Sequence, residues 1–394
     1  MLRDLAAHCQ SELTESVIPF WMKYSIDRQN GGFWTCLERD GTVFDTRKYI
    51  WMNGRQVWML SRLYRTFDKR VEWLDAARGG AEFLRANAFD DEQRCWFSLT
   101  ADGRPAGYQR KPYGAVFVML GFLEYAKASG DASYRELAIA MFKRIGRYIQ
   151  EPALLGRPVL AGAPRLSGLA EIYVLCAMAL DLLEDDPKNA EYLDVLRGCL
   201  TQIKLHYHAE RRLFYENAPL DDESAQTPEG RLICPGSIFE INWLLFRAMD
   251  HVPDAEVEKL LLSTLEGGLE FGWDQQFGGI YYFLDVDGHS PLQLEWAMKL
   301  WWVHAEALYA LVNAYTRTHD EKWLGWLERV QEWVFSHFPD KQYGEWFGYL
   351  DRQGQPALNL KGGNYKGCFH IPRALLFSLQ SIERAGSSPR SAHP

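Results

Sequence analysis

The sequence predicts an all-α chain folded as an (α/α)6 barrel, six helical hairpins in a ring with short β-hairpins gathered at one end. Three observations predict it. A strand-and-turn text recurs along the chain, at Phe33-Trp34-Thr35-Cys36-Leu37 closed by Asp40-Gly41, at Cys95-Trp96-Phe97-Ser98-Leu99 closed by Asp102-Gly103, at Ile280-Tyr281-Tyr282-Phe283-Leu284 closed by Asp287-Gly288, and at Trp346-Phe347-Gly348-Tyr349-Leu350 closed by Gly354. Aromatic and β-branched residues ended by such a pair read as a strand running into a hairpin turn. The spacing of the closing glycines is the second observation. Positions 41 and 103, like 288 and 354, lie about 62 to 66 residues apart, room for two helices of ordinary length and one hairpin. About six such units fit in 394 residues. The third is the stretch from Lys48 to Phe67, whose apolar residues crowd every face. Such a helix belongs in an interior, so the ring should have inner and outer layers.

Taken in order, the chain opens with an amphipathic helix reaching about Met22. The first hairpin follows, then the interior helix, then a helix over Val71–Ala86. Between the second and third hairpins, weaker echoes fall at Gly162-Ala163-Pro164 and at Leu213-Phe214-Tyr215-Glu216-Asn217-Ala218-Pro219. No linker divides the chain, so residues 1–385 form one domain. The closing Gly386-Ser387-Ser388-Pro389-Arg390-Ser391-Ala392-His393-Pro394 reads as a disordered tail.

Composition narrows the function. Hydrophobic residues make up 47% and charged residues 24%, in the range of water-soluble globular chains. Net charge is −9 with no basic stripe, which argues against nucleic acid or an anionic membrane as partner. No uncharged run approaches the roughly 18 residues of a membrane span. The seven cysteines are scattered, without CxxC or metal-like spacing, and suggest free thiols and a cytoplasmic location. The 15 tryptophans offer flat surfaces for sugar rings as well as packing for large helices.

Four stretches could carry chemistry. Lys361-Gly362-Gly363-Asn364-Tyr365-Lys366-Gly367-Cys368-Phe369-His370-Ile371-Pro372-Arg373 sets one histidine on a glycine-rich, cationic loop just before an apolar helix. Arg55 lies in an apolar helix, where a charge needs an anionic or carbonyl partner. Trp51 is its i, i+4 neighbour. Glu295, Lys299, Trp302 and Glu306 follow helical spacing and predict one polar stripe. Ser237-x-x-Glu240 before an apolar run reads first as a capping box, with Glu240 facing a pocket as the functional alternative. No P-loop, dinucleotide fingerprint, HExxH or GxSxG is present.

Together these stretches resemble the N-acylglucosamine 2-epimerase family, from about Trp21 to Leu379. Lys48-Tyr49-Ile50-Trp51 with Gly54-Arg55-Gln56-Val57-Trp58 is similar to its arginine motif. Gln293-Leu294-Glu295-Trp296 through Trp302, with His304 and Glu306, is similar to its central helix. Lys361-Gly362-Gly363 with Lys366 through Arg373 is similar to its histidine loop. The resemblance implies an often dimeric (α/α)6 barrel that epimerises sugars at C2, or interconverts aldose and ketose, without a redox cofactor. It implies that His370 is the catalytic histidine and that Arg55, Glu240 and Glu306 share its pocket. Tyr49, Trp51, Ser237, Trp302, His304, Lys361 and Arg373 are the expected sugar contacts. A metal is not expected. Some members respond to a nucleotide effector, and Gly156–Pro164 partly matches the segment linked to that behaviour.

One departure has chemical weight. The family carries a second catalytic histidine where this chain has Ser237. A hydroxyl is no base without activation. His370 would then shuttle a proton on one face of the sugar, giving aldose–ketose interconversion, unless a slight rotation of its helix brings His304, two residues before Glu306, to the other face. Two alternatives are a sugar- or protein-binding relative without catalysis, and a glycosidase using Glu240 and Glu306 as a carboxylate pair.

Overall fold

The structure, a computed structural model, describes residues 1–158 and 160–387. Most of the expected tail lies outside the described residues, and Gly386 and Ser387 still belong to the last helix.

Helix α1 (Leu2–Ser11) runs through a π turn at Glu12–Val17 into α2 (Ile18–Tyr24). Then come α3 (Ile50–Thr66), α4 (Val71–Asn87), α5 (Tyr113–Ser129), α6 (Ala132–Gln150), α7 (Leu169–Leu183) and α8 (Ala190–Gln202). A four-residue turn, α9 (Asp222–Ala225), precedes α10 (Pro235–Met249), α11 (Ala255–Gly272), α12 (Trp301–Thr318), α13 (Lys322–His337) and α14 (His370–Ser387). The inner ring is α3, α5, α7, α10, α12 and α14, each packed on the next. Trp58 of α3 closes the ring against Phe369 and Phe377. Every residue of α5 from Ala115 to Ala126 is buried, as is every residue of α12 from Val303 to Ala314. The outer helices bury one stripe each; α4 sends in Trp73, Ala77, Ala81 and Leu84. Five inner helices pair with the outer helix that follows them, and α14 pairs with α1, so the two ends of the chain make the sixth hairpin.

Glycine sets the closest approach in the ring. A Cβ on Gly54 would lie 2.4 Å from the Phe117 carbonyl oxygen, and one on Gly121 would lie 2.7 Å from the Gly54 oxygen. With any larger residue at either position, α3 and α5 would have to move apart.

The four closing glycines at 41, 103, 288 and 354 take φ of 89°, 92°, 85° and 86°, as the turn reading requires. Pairing differs from the expectation at two of them. Cys36–Leu37 pairs with Val43–Asp45, and Ser98–Leu99 pairs with Pro105–Gly107, as hairpins. Leu284–Asp285 pairs instead with Leu232–Ile233, and Tyr349–Leu350 with Lys299–Leu300. These strands tie the lead-in of one inner helix to the next repeat. The Lys48 end of the predicted interior helix is likewise a strand, Lys48–Tyr49, paired with Ser98–Leu99.

A buried ion pair recurs with the turns. Lys48 Nζ lies 2.6 Å from Asp27, Lys299 Nζ 3.2 Å from Asp274, and Lys361 Nζ 3.1 Å from Asp340. Each aspartate also accepts backbone N–H groups of its own loop, from Gln29 and Asn30, from Gln276 and Phe277, and from Gln342. All these loops stand at the end of the ring where the inner helices begin.

Candidate active site

The sequence puts its chemistry on the first two turns of the inner helices. Trp51 and Arg55 are on α3, Ser237 and Glu240 on α10, Trp302 and Glu306 on α12, and His370 and Arg373 on α14. The loops above them surround a cavity of about 940 Å3. Tyr49, Trp51, Arg55, Glu240, Tyr282, Trp302 and His370 are among its walls.

At the floor, the His370 Nδ1 lies 2.8 Å from Glu306 Oε1. A carboxylate can only accept, so Nδ1 carries the proton and Nε2 is left with its lone pair. Glu306 is 1% exposed. Its Oε1 also accepts from Arg373 at 2.7 Å, and its Oε2 accepts from Trp243 Nε1 at 2.8 Å. Arg373 bonds Glu240 as well, and reaches the Tyr173 hydroxyl at 3.3 Å. Burial pushes the His370 imidazole well below its ordinary value, with Arg55 and Arg373 adding to the shift and Glu240 opposing it. The ring is therefore neutral at pH 7, as a base must be.

Arg55 stands in the same wall. Its guanidinium lies over Phe117, Trp51 and Phe369 at 4.0, 4.7 and 4.9 Å, and its buried Nε has no partner. Burial lowers it to about 10, so it remains a cation near neutral pH. A buried cation with an unused donor beside a base is a receptor for negative charge. Trp51 is held by Nε1 donating to the Asn364 carbonyl at 2.8 Å, and the Trp302 ring centroid lies 5.7 Å from that of His370.

Several expectations are corrected. Lys361 is fully buried and donates to the Gly344 and Glu345 carbonyls, so it anchors the loop and meets no sugar. Lys366 does the same through Glu345 Oε1 and the Lys361 carbonyl, at 2.9 and 2.8 Å. His304 is fully buried, with Nε2 accepting from Ile280 N–H at 2.9 Å and Nδ1 bonded to the Leu300 carbonyl at 2.8 Å. It stacks on Trp333 and does not reach the cavity. Arg373 lies behind Glu240 and Glu306 and positions them. Glu306 stands behind His370 instead of in the wall.

The Glu295–Glu306 stripe does not exist, because α12 starts only at Trp301 and Lys299 is in a strand. Ser237 is no cap either: Cys234 holds that position and Pro235 opens the helix, leaving Ser237 and Glu240 inside it. The glycosidase pair fails on geometry, since Glu240 and Glu306 share one guanidinium and only Glu240 reaches the cavity. Donor atoms of Glu240, Glu306 and His370 lie within 4.8 Å of one another, and Arg373 occupies their meeting point. The Gly156–Pro164 loop includes Val159, outside the described residues.

The model of the N-acylglucosamine 2-epimerase family matches residues 32–374. The chain belongs to that family. It is 39% identical to the N-acylglucosamine 2-epimerase of Mus musculus, over 96% of this chain and 93% of the mouse protein. It is 41% identical to that of Bos taurus, over 92% and 87% of the two chains. The cellobiose 2-epimerase of Bacillus thermoamylovorans B4167 superposes with a TM-score of 0.82 at 20% identity, covering 97% of this chain and all of the other. The fold that this chain shares with that structure is the (α/α)6 barrel. Beside Ser237 lies a residue, Glu216, that belongs to none of the four stretches. In the sequence Glu216 belongs only to a weak hairpin echo. It lines a small cavity with Tyr173, Ser237 and Glu240, and only tertiary packing brings it there.

Proposed function

We propose that this sugar 2-epimerase family member interconverts the C2 epimers of a free hexose, with N-acetylglucosamine and N-acetylmannosamine the first pair to test. The observation that carries the reading is the His370–Glu306 contact, which sets the ring proton on Nδ1 and leaves Nε2 with its lone pair in the wall of a sugar-sized cavity. In the open-chain sugar, His370 Nε2 takes the C2 proton. The electron pair moves toward the C1 carbonyl, and charge develops on oxygen. Arg55 is the donor for that oxygen. Glu306 balances the imidazolium, and Arg373 holds Glu306 and Glu240 in place. Trp51 and Trp302 offer faces to the sugar. The unused Nε–H of Arg55 is a charged donor, which suits an anionic oxygen better than a neutral hydroxyl. The chemistry asks for no redox cofactor.

Ser237 favours a second branch, because a hydroxyl replaces an imidazole. Proton return to C1 on the His370 face would turn a 2-hydroxy aldose into a ketose. A 2-acetamido sugar has no such outlet, and on it a single-face enzyme would only exchange the C2 proton. The experiment incubates the protein with N-acetylglucosamine, N-acetylmannosamine, glucose and mannose and resolves aldose, 2-epimer and ketose. Turnover of at least one sugar, abolished in a folded His370→Ala variant, is expected. Release of sugar from a glycoside without either product would count against the reading.

The family likeness further supports a homodimer and a nucleotide effector near Arg157, and the seven buried free thiols support a cytoplasmic location. Sedimentation of the purified chain, a thermal shift with ATP, and cell fractionation test the three in turn.

A further inference from the structure

At the end of the ring away from His370, the last turns of α3, α10, α12 and α14 open on a second cavity, of about 580 Å3. That is room for a sugar-sized molecule. None of its residues lines the large cavity. Its wall holds four arginines, Arg62, Arg247, Arg317 and Arg384, against two acids, Glu184 and Asp250. Both acids are already matched. Glu184 accepts from Arg62 at 2.8 Å, from Arg65 at 2.7 Å and from Lys127 at 3.0 Å. Arg317 Nη2 donates to both oxygens of Asp250 at 2.8 Å. Helix C-termini attract cations, but here the cations exceed the acids and leave donors unused.

Arg247 makes no hydrogen bond among the described residues. Its one carboxylate neighbour, Glu184, is 3.6 Å away, and its guanidinium lies 5.7 Å from the Phe377 ring centroid. Asn313 is 6% exposed; its Oδ1 accepts from Arg317 Nε at 3.4 Å, and its Nδ2 has no partner. Arg62 Nε, in the same wall, has none either. A buried donor without an acceptor is costly, and a ligand that brings oxygens removes the cost. The rest of the wall suits a hydroxylated ring. The Thr66 and Thr316 hydroxyls donate to helix carbonyls, which leaves their oxygens able to accept. The Tyr309 and Phe377 rings, centroids 5.4 Å apart, add apolar surface.

We infer that this second cavity binds a small polyhydroxylated anion, a sugar that carries a phosphate or a carboxylate. Arg247 is its main charge contact and Asn313 a second donor. The two threonines take the sugar hydroxyls, and the Tyr309 and Phe377 rings take its C–H surface. Arg62 and Arg317 neutralise Glu184 and Asp250, so neither acid repels the ligand. Phosphate and carboxylate both offer paired oxygens to a guanidinium. A neutral sugar leaves Arg247 without an anion and binds weakly. The inference does not rest on the reading of His370 as a base, because the two cavities share no residue.

The test is calorimetric titration of the full chain with glucose 6-phosphate, glucuronate, glucose and inorganic phosphate at low salt. At least one of the two sugar anions should bind about tenfold or more tightly than glucose and than inorganic phosphate, and the tighter of the two names the charged group. Arg247→Met keeps an apolar stem against Phe377 and should weaken that binding about tenfold or more. Asn313→Asp sets a negative charge in the wall and should weaken it as much. Arg55→Met, in the other cavity, should leave it unchanged. Melting curves identify folded variants, and should Arg247→Met fail to fold, Asn313→Asp carries the test. Binding of neither sugar anion in the millimolar range overturns the proposal. So does binding that survives in either folded wall variant, and so does binding lost in Arg55→Met, which would place the ligand beside His370. Inorganic phosphate bound as tightly as glucose 6-phosphate would overturn the assignment of a sugar.

Discussion

Replacing Glu306 by glutamine tests the site at its most connected point. The carboxylate accepts three hydrogen bonds on two oxygens, from His370 and Arg373 on one and Trp243 on the other. An amide has one accepting oxygen, so no orientation satisfies all three. With its oxygen toward His370, the NH2 meets the indole N–H donor-to-donor, and a buried group is orphaned at about 1–3 kcal/mol. With the amide flipped, NH2 meets Nδ1. That forces the proton onto Nε2, and the base is lost. Either way no charge balances the imidazolium. Loss of the partner carboxylate in a comparable histidine pair costs about 10⁴ in rate. We expect C2 exchange to fall by about 10²–10⁴ with KM little changed, and the thermal midpoint to drop a few degrees. The assay is the initial rate of C2 deuteration by NMR alongside a melting curve. Exchange within threefold of wild type in a folded Glu306→Gln would refute the tautomer argument.

Arg55→Met should lower kcat/KM by about 10²–10³, the worth of one oxyanion donor, while leaving the melting midpoint equal or higher, because a partnerless buried charge is removed. A large loss of stability would show a structural ion pair instead. His304→Ala should cost about 2–4 kcal/mol through its cavity and the orphaned Ile280 N–H, with turnover per folded molecule within about threefold of wild type; kinetics at a temperature well below both midpoints check it. Burial depresses both His304, to about 3, and His370. Their contribution to stability is complete above the unfolded value near 6.5 and is lost as pH falls toward the folded values. The midpoint should therefore decline from pH 6.5 to 4.5, and less steeply in His304→Ala; equal slopes would contradict the assignment.

The ring was legible in the sequence because its repeat is a physical unit: a turn glycine with positive φ closes four of the strand texts, and two helices fill the interval between neighbouring ones. The glycine-rich lead-in to His370 and the lone arginine of α3 were legible too, since each violates its apolar surroundings. Lysines misled the reading. Lys361 looks like a sugar ligand in a loop text, yet it repeats the Asp–Lys pairs of Lys48 and Lys299, a pattern visible only once Asp340 is seen beside it. Helical spacing over 295–306 misled as well, because pairing of Leu300 with Tyr349 makes the first half of that text a strand lead-in. Glu216 carried no local signal. It is an ordinary glutamate between two short strands, and only the fold brings it to the same small cavity as Ser237, 21 positions away in sequence.

The account turns on His370 as the group that moves the C2 proton. Incubation of N-acetylmannosamine, mannose and glucose with the protein in deuterated water reads this directly. Wild type should place deuterium at C2 of at least one of these sugars, and His370→Asn, folded with an unchanged circular dichroism spectrum, should place none above the buffer rate. Deuterium entering C2 at comparable rates in both proteins would contradict the central claim.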